Sequence, residues 1–103
     1  MEFKLDITDS AHKDFNDIVT YIAETLCAPA AAAHFMEAVE KCYDNLKARP
    51  LMYAAADMPE LAEKGYRRAP VKNYLILYKV DETAKIVRVH RFFYGSRNYI
   101  DLI

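Results

Sequence analysis

Tyrosines and cations crowd the second half of this sequence. Tyr66, Arg67, Arg68, Lys72, Arg88, His90, Arg91, Tyr94, Arg97 and Tyr99 all fall between positions 66 and 99 of a 103-residue chain. A guanidinium group forks onto phosphate oxygens and a phenol ring stacks on a base, so the mixture suits nucleic acid. It suits RNA cleavage too, where cations stabilise a pentacoordinate phosphate while another group moves protons. It suits a protein partner equally well, since Arg and Tyr dominate binding hot spots. Solvated cations along strand edges are the fourth account, and residue chemistry alone leaves all four open. His90, between Arg88 and Arg91, is the histidine with company suited to acid–base work, although a structural role competes. His12 and His34 are scattered, and His34 beside Phe35 reads as a helix-surface or boundary residue.

Other chemistries lack their residues. No Ser-His-Asp spacing, HExxH, P-loop or GxGxxG occurs, and two glycines in the whole chain exclude a glycine-rich phosphate cradle. Cys27 and Cys42 fall on successive predicted helices, roughly 20 Å apart along the helix axis. A disulfide needs Cα atoms within about 7 Å, so two buried, reduced thiols are expected. Two cysteines without a histidine nearby do not make a zinc site, and no metal or cofactor is expected.

Two helices and a set of strands must position the cationic cluster. Phe3, Leu5 and Ile7 alternate with Glu2, Lys4 and Asp6, the period of a half-buried strand. Thr8, Asp9 or Ser10 then caps a helix whose apolar face is Ala11, Phe15, Ile18, Val19, Ile22 and Leu26, with Lys13, Asp14, Asp17 and Glu24 elsewhere on the wheel. Pro29 breaks it and opens a second helix with Phe35, Val39, Cys42, Tyr43 and Leu46 inward, ending before Pro50. So short a turn predicts an antiparallel hairpin. Residues 51–65 read as a loop that still packs, with one helical turn over 59–64 closed by Gly65. Strands follow near 66–70, 74–80 and 86–94, and Tyr74 to Tyr78 is apolar throughout, as in a central strand covered on both faces. The expectation is one α+β domain over residues 1–103, in βααβββ order, with a helical hairpin on a mostly antiparallel four-stranded sheet.

Composition agrees. Charged residues are 28% and apolar residues 53%, which places the chain among folded, globular sequences. The net charge of −1 conceals an asymmetry. Residues 1–64 carry 6 Lys/Arg against 12 Asp/Glu, a balance of −6, whereas residues 65–103 carry 8 against 3, a balance of +5. No apolar run approaches the roughly 20 residues of a membrane span, and the opening Met1-Glu2-Phe3-Lys4-Leu5-Asp6 has no apolar leader core. Cytoplasm, without membrane contact, is the expectation.

Four stretches in this order resemble the RelE/ParE toxin superfamily over nearly the whole chain. They are Asp17-Ile18-Val19-Thr20-Tyr21-Ile22, Ala32-Ala33-His34-Phe35, the run from Tyr74 to Asp81, and the run from Val89 to Tyr99. The resemblance implies the toxin of a bacterial type II toxin–antitoxin pair. Such a toxin is held inactive by its cognate antitoxin and meets operator DNA only through it. RelE-like members are mRNA interferases of the ribosomal A site, and ParE-like members poison DNA gyrase without being nucleases. RelE-like nucleases carry an arginine where this chain has Leu75. Arg68 and Arg97 match two other basic positions, while the functional tyrosine of some nucleases has no clean counterpart beside Asp101-Leu102-Ile103. That incomplete set, the long hairpin and the unbroken apolar strand lean towards ParE. The expectation is therefore a gyrase inhibitor whose target or antitoxin contacts are Tyr66, Arg67, Arg68, Lys72, Arg91, Arg97 and Tyr99. The alternative is a ribosome-dependent endoribonuclease in which Arg68 and Arg97 stabilise the phosphorane and His90 or Tyr94 transfers protons. A binding module that keeps the fold without toxicity is the third reading.

Overall fold

The computed structural model describes residues 2–95. Strand β1, Lys4–Ile7, leads into helix α1, Asp9–Thr20. Thr8 is the cap: its hydroxyl accepts from the Ala11 N–H at 3.1 Å, filling one of the donors a helix leaves free at its start. The spacing predicts one unbroken helix to Leu26, but residues Tyr21–Thr25 instead form a π turn, with the Leu26 N–H reaching the Tyr21 carbonyl at 3.0 Å. The wider turn keeps Ile22 buried and leaves Tyr21 and Leu26 exposed. Cys27, with φ of 52°, then reverses the chain, and Pro29 opens helix α2, Pro29–Ala48. Ala32, Phe35, Val39, Cys42 and Leu46 are its buried stripe, one residue every three or four.

A short helix α3, Pro59–Glu63, ends at Gly65, whose φ of 90° suits the left-handed stop. Strands β2 (Tyr66–Val71), β3 (Tyr74–Asp81) and β4 (Ile86–Tyr94) form a meander. The sheet order is β1-β4-β3-β2. β2, β3 and β4 are antiparallel, whereas β1 runs parallel to β4 at its outer edge, so the sheet is mixed. This is the expected α+β order.

The hairpin covers one face of the sheet. Phe35 packs between Phe15 and Tyr74, with ring centroids 6.0 and 5.3 Å away, and burying such a side chain stabilises the fold by about 1.5–3 kcal/mol. On the opposite face Leu61 of α3 joins Tyr66, Leu75, Leu77 and Phe93 in a second, smaller cluster. Cover on both faces explains why Leu75 to Tyr78 is buried at every position.

Residues between α2 and α3 pack, as expected. The buried Tyr78 hydroxyl donates to the Pro50 carbonyl at 2.7 Å, and burial pushes its phenol well above the ordinary range. Segment 54–56 pairs with β2, Ala56 N–H to Tyr66 and Arg68 N–H to Ala54. Both cysteines are free, but only Cys42 is buried. Cys27 is exposed, because the turn after the π segment carries it away from the core. No helix among the described residues is long and apolar enough to cross a membrane.

Candidate functional site

The basic and aromatic residues of the meander do not form one cluster, and a β-bulge is the reason. Tyr78 of β3 pairs with Val89, while the preceding Leu77 pairs with Arg91, so His90 is an extra residue in β4. A strand with strict alternation would carry Arg88, His90, Phe92 and Tyr94 on one face. After the bulge the alternation inverts. Phe92 joins the hairpin-side core, and Tyr94 stacks edge-on against Tyr74, 5.5 Å between centroids, on that same side. His90 instead meets the ring of Tyr66 at 5.1 Å, within the opposite cluster.

The bulge is held from α1. The Thr8 hydroxyl donates to the His90 carbonyl at 2.9 Å, and the Thr8 N–H to the Val89 carbonyl at 3.1 Å. Nearly two turns further along, Asp14 accepts from Arg91 Nε at 2.6 Å, from Arg91 Nη2 at 3.0 Å and from the Phe92 N–H at 3.0 Å. Bidentate hydrogen bonding to Asp14 raises the Arg91 pKa further, so this cation is a structural clamp. Helical spacing alone puts Asp14 off the apolar face of α1. Its role is legible only once β4 lies beside that helix.

Around His90 lies a partly exposed patch rich in cations on the α3 side of the sheet. Lys79 sits over the Tyr66 ring, its Nζ 4.9 Å from the centroid. Arg88 pairs with Asp6 of β1 at 2.6 Å. Arg68 pairs with Asp57 at 2.9 Å. Arg67 reaches the other way and donates to the Tyr53 carbonyl at 2.6 Å, holding the segment before α3. Partial burial, followed by the Lys79 and Arg88 charges, lowers the His90 pKa and favours neutral imidazole. The structure thus brings Tyr66, Arg68 and His90 to one face. Tyr94 lies on the other, and Lys72 sits in the exposed β2–β3 turn. Arg97 and Tyr99 lie outside the described residues.

Two apolar clefts flank the hairpin. One, about 780 Å³, opens beside the π turn and is lined by Tyr21, Leu26, Phe35, Tyr74 and Tyr94. The other, about 430 Å³, lies between α1 and α2 next to β1, over Ile7, Phe15, Val39 and Tyr43, with Glu37 and Glu40 at its rim. The hydrophobic periodicity of the helices signals neither, because it counts these residues as core.

Solved structures share this fold. The chromosomal ParDE toxin–antitoxin system from P. aeruginosa is similar at 17% identity and TM-score 0.69, covering 89% of this chain and 95% of that one. The RelBE2 toxin–antitoxin complex from Mycobacterium tuberculosis is similar at 22% identity and TM-score 0.66, covering 91% and 99%. A mutant of the E. coli toxin RelE in the free state is similar at 15% identity and TM-score 0.63, covering 99% and 93%. No curated protein sequence matches the chain significantly. The fold is that of the RelE/ParE toxin superfamily. A sequence profile described as the ParE toxin of the type II toxin–antitoxin system parDE matches residues 5–99, and the chain belongs to that family.

Proposed function

We propose that this toxin acts on DNA gyrase by binding, with no bond-making chemistry of its own, and that a cognate antitoxin neutralises it. The observation that carries this reading is the placement of His90 and Tyr94 on opposite faces of the sheet. An endoribonuclease with proton transfer at both ends of the reaction needs those groups and its phosphate-stabilising cations around a single phosphate, and Tyr94 is too far round the sheet to join His90 there. Arg68 is held by Asp57. By the resemblance drawn from the sequence, Leu75 takes the place of an arginine of RelE-like nucleases. Membership of the ParE family supports the same reading, and the toxin–antitoxin complexes among the structural relatives support an antitoxin partner.

The RelE-like reading draws on one observation, that Arg68, Tyr66, Lys79 and His90 share a face. A tightly induced expression pulse separates the two. Thymidine and methionine incorporation are followed together, and purified toxin is added to a gyrase supercoiling assay. The expected result is that DNA synthesis falls before translation and that supercoiling stops. Translation falling first, with new mRNA 5′ ends and unaffected gyrase, would overturn the proposal in favour of ribosome-dependent cleavage.

A further inference from the structure

Tyr66, Lys79, Arg88 and Asp6 stand directly opposite one another in a row across β2, β3, β4 and β1. Lys79 and Arg88 are therefore like charges at facing positions, with Cβ atoms about 5 Å apart, an arrangement that destabilises a sheet. One carboxylate offsets it. Asp6 takes Arg88 through Nε at 2.6 Å, and no contact among the described residues occupies the two Nη groups. Lys79 has no carboxylate partner among those residues, and its Nζ lies 4.9 Å from the centre of the Tyr66 ring.

His90 is the third member of the group. As the extra residue of the bulge it stays beside Arg88, while the strand beyond it inverts. Its ring meets Tyr66 edge-on at 5.1 Å, and no hydrogen bond among the described residues engages its nitrogens. Burial lowers its pKa first, then the charges of Lys79 and Arg88, and Asp6 opposes them. A neutral ring offers one N–H donor, and an anion beside it would offset both cations and let the second nitrogen take a proton. These three side chains line a cleft of about 480 Å³ on the α3 side of the sheet. Asp81, Glu82 and Thr83 line it at the β3–β4 turn, so it is acidic at that end and cationic towards His90.

We infer that Lys79, Arg88 and His90 form a binding site for a single phosphate group carried by a small molecule, orthophosphate or a mononucleotide. The free Nη groups of Arg88 and the Lys79 ammonium supply charge-assisted hydrogen bonds, and the imidazole supplies a further donor. Asp81 and Glu82 repel a second phosphate at the turn end, so the cleft does not continue into a track for a nucleic-acid backbone. The inference stands apart from the gyrase reading, because it concerns an anion held on the sheet and requires no bond to be made or broken.

The test is proton NMR of the three histidine rings in the whole chain, titrated with pH in the presence and absence of sulfate at constant ionic strength. Sulfate keeps one charge state through the range, so the titration reported is the protein's own. His90→Gln assigns the His90 signals, and matching thermal unfolding shows that this variant and Lys79→Gln fold. The expected result is that sulfate raises the His90 pKa by about one unit, which by linkage makes anion binding about tenfold tighter in the protonated form. His12 and His34, which line the two other clefts, keep their values. In Lys79→Gln the His90 ring titrates higher before any anion is added, sulfate moves it less, and inorganic phosphate binds about tenfold more weakly. A His90 pKa that sulfate leaves unchanged, or an equal shift in all three rings, overturns the site. An oligothymidylate of about twelve nucleotides that binds more than about tenfold tighter than thymidine monophosphate, with a salt dependence of several phosphates, overturns the single-phosphate assignment in favour of a nucleic-acid backbone.

Discussion

Asp14 is a single carboxylate that gathers three donors from β4, two from the Arg91 guanidinium and one from the Phe92 backbone. Truncation to Ala leaves that partly buried guanidinium and the Phe92 N–H without their acceptor. Solvent reaches the pair to some extent, since Arg91 is 26% exposed. The expected loss is therefore about 2 kcal/mol, below that of a fully buried pair. Scanning calorimetry then shows a melting temperature lower by about 10 °C, and Asp14→Asn, which keeps one acceptor, loses less. His90 carries a pH dependence. Its pKa is depressed in the folded protein, chiefly by burial, so as pH falls the unfolded chain takes up the proton first. Stability from this residue is complete above about pH 6.5 and is lost as pH falls from there through the lower folded value. His90→Gln flattens the urea midpoint between about pH 7 and pH 5 relative to the parent chain, and an unchanged slope sinks this assignment. Neither Asp14 nor the surroundings of His90 is legible from residue order. The Asp14–Arg91 contact joins positions 77 apart, and helical spacing sorts Asp14 as a surface acid.

At the scale of elements, Thr8 joins α1 to β4 by using one hydroxyl twice, as acceptor at the helix start and as donor to the bulge. Thr8→Val keeps the shape and removes both bonds, which costs about 1–2 kcal/mol. Thr8→Ser keeps both and stays within about 0.5 kcal/mol of the parent. Urea unfolding read at constant slope distinguishes these outcomes. The bulge left a faint trace in the sequence. Val87 and Val89 alternate with polar residues, and the pattern breaks at His90-Arg91 before the wholly apolar Phe92-Phe93-Tyr94. Three apolar residues in a row are also what a strand covered on both faces presents, so the break alone did not disclose the inverted register. The π turn was similarly hidden. Ile22 and Leu26 both satisfy helical spacing, but with the reversal at Cys27 Ile22 reaches the core and Leu26 does not.

For the whole molecule, the order of elements was legible because the period changes along the chain, near 2 up to Ile7, near 3.6 from there to Pro50 and strand-like again after Gly65. The charge asymmetry maps onto that division, with acidic residues concentrated on the hairpin and cations on the meander. The partner of β1 was not legible, since pairing at long range leaves no local mark. That pairing sets a schedule. Asp6 meets Arg88, 82 residues further along the chain, and ribosomes add about 5–20 residues per second. For roughly 4–16 seconds of synthesis, therefore, β1 and the underside of the hairpin wait without the strand that completes them. The sheet closes only when β4 has emerged, so β1 stays without its neighbour until then. The β1–β4 pairing and the cations that β4 brings to the sheet come into being together, when that strand docks.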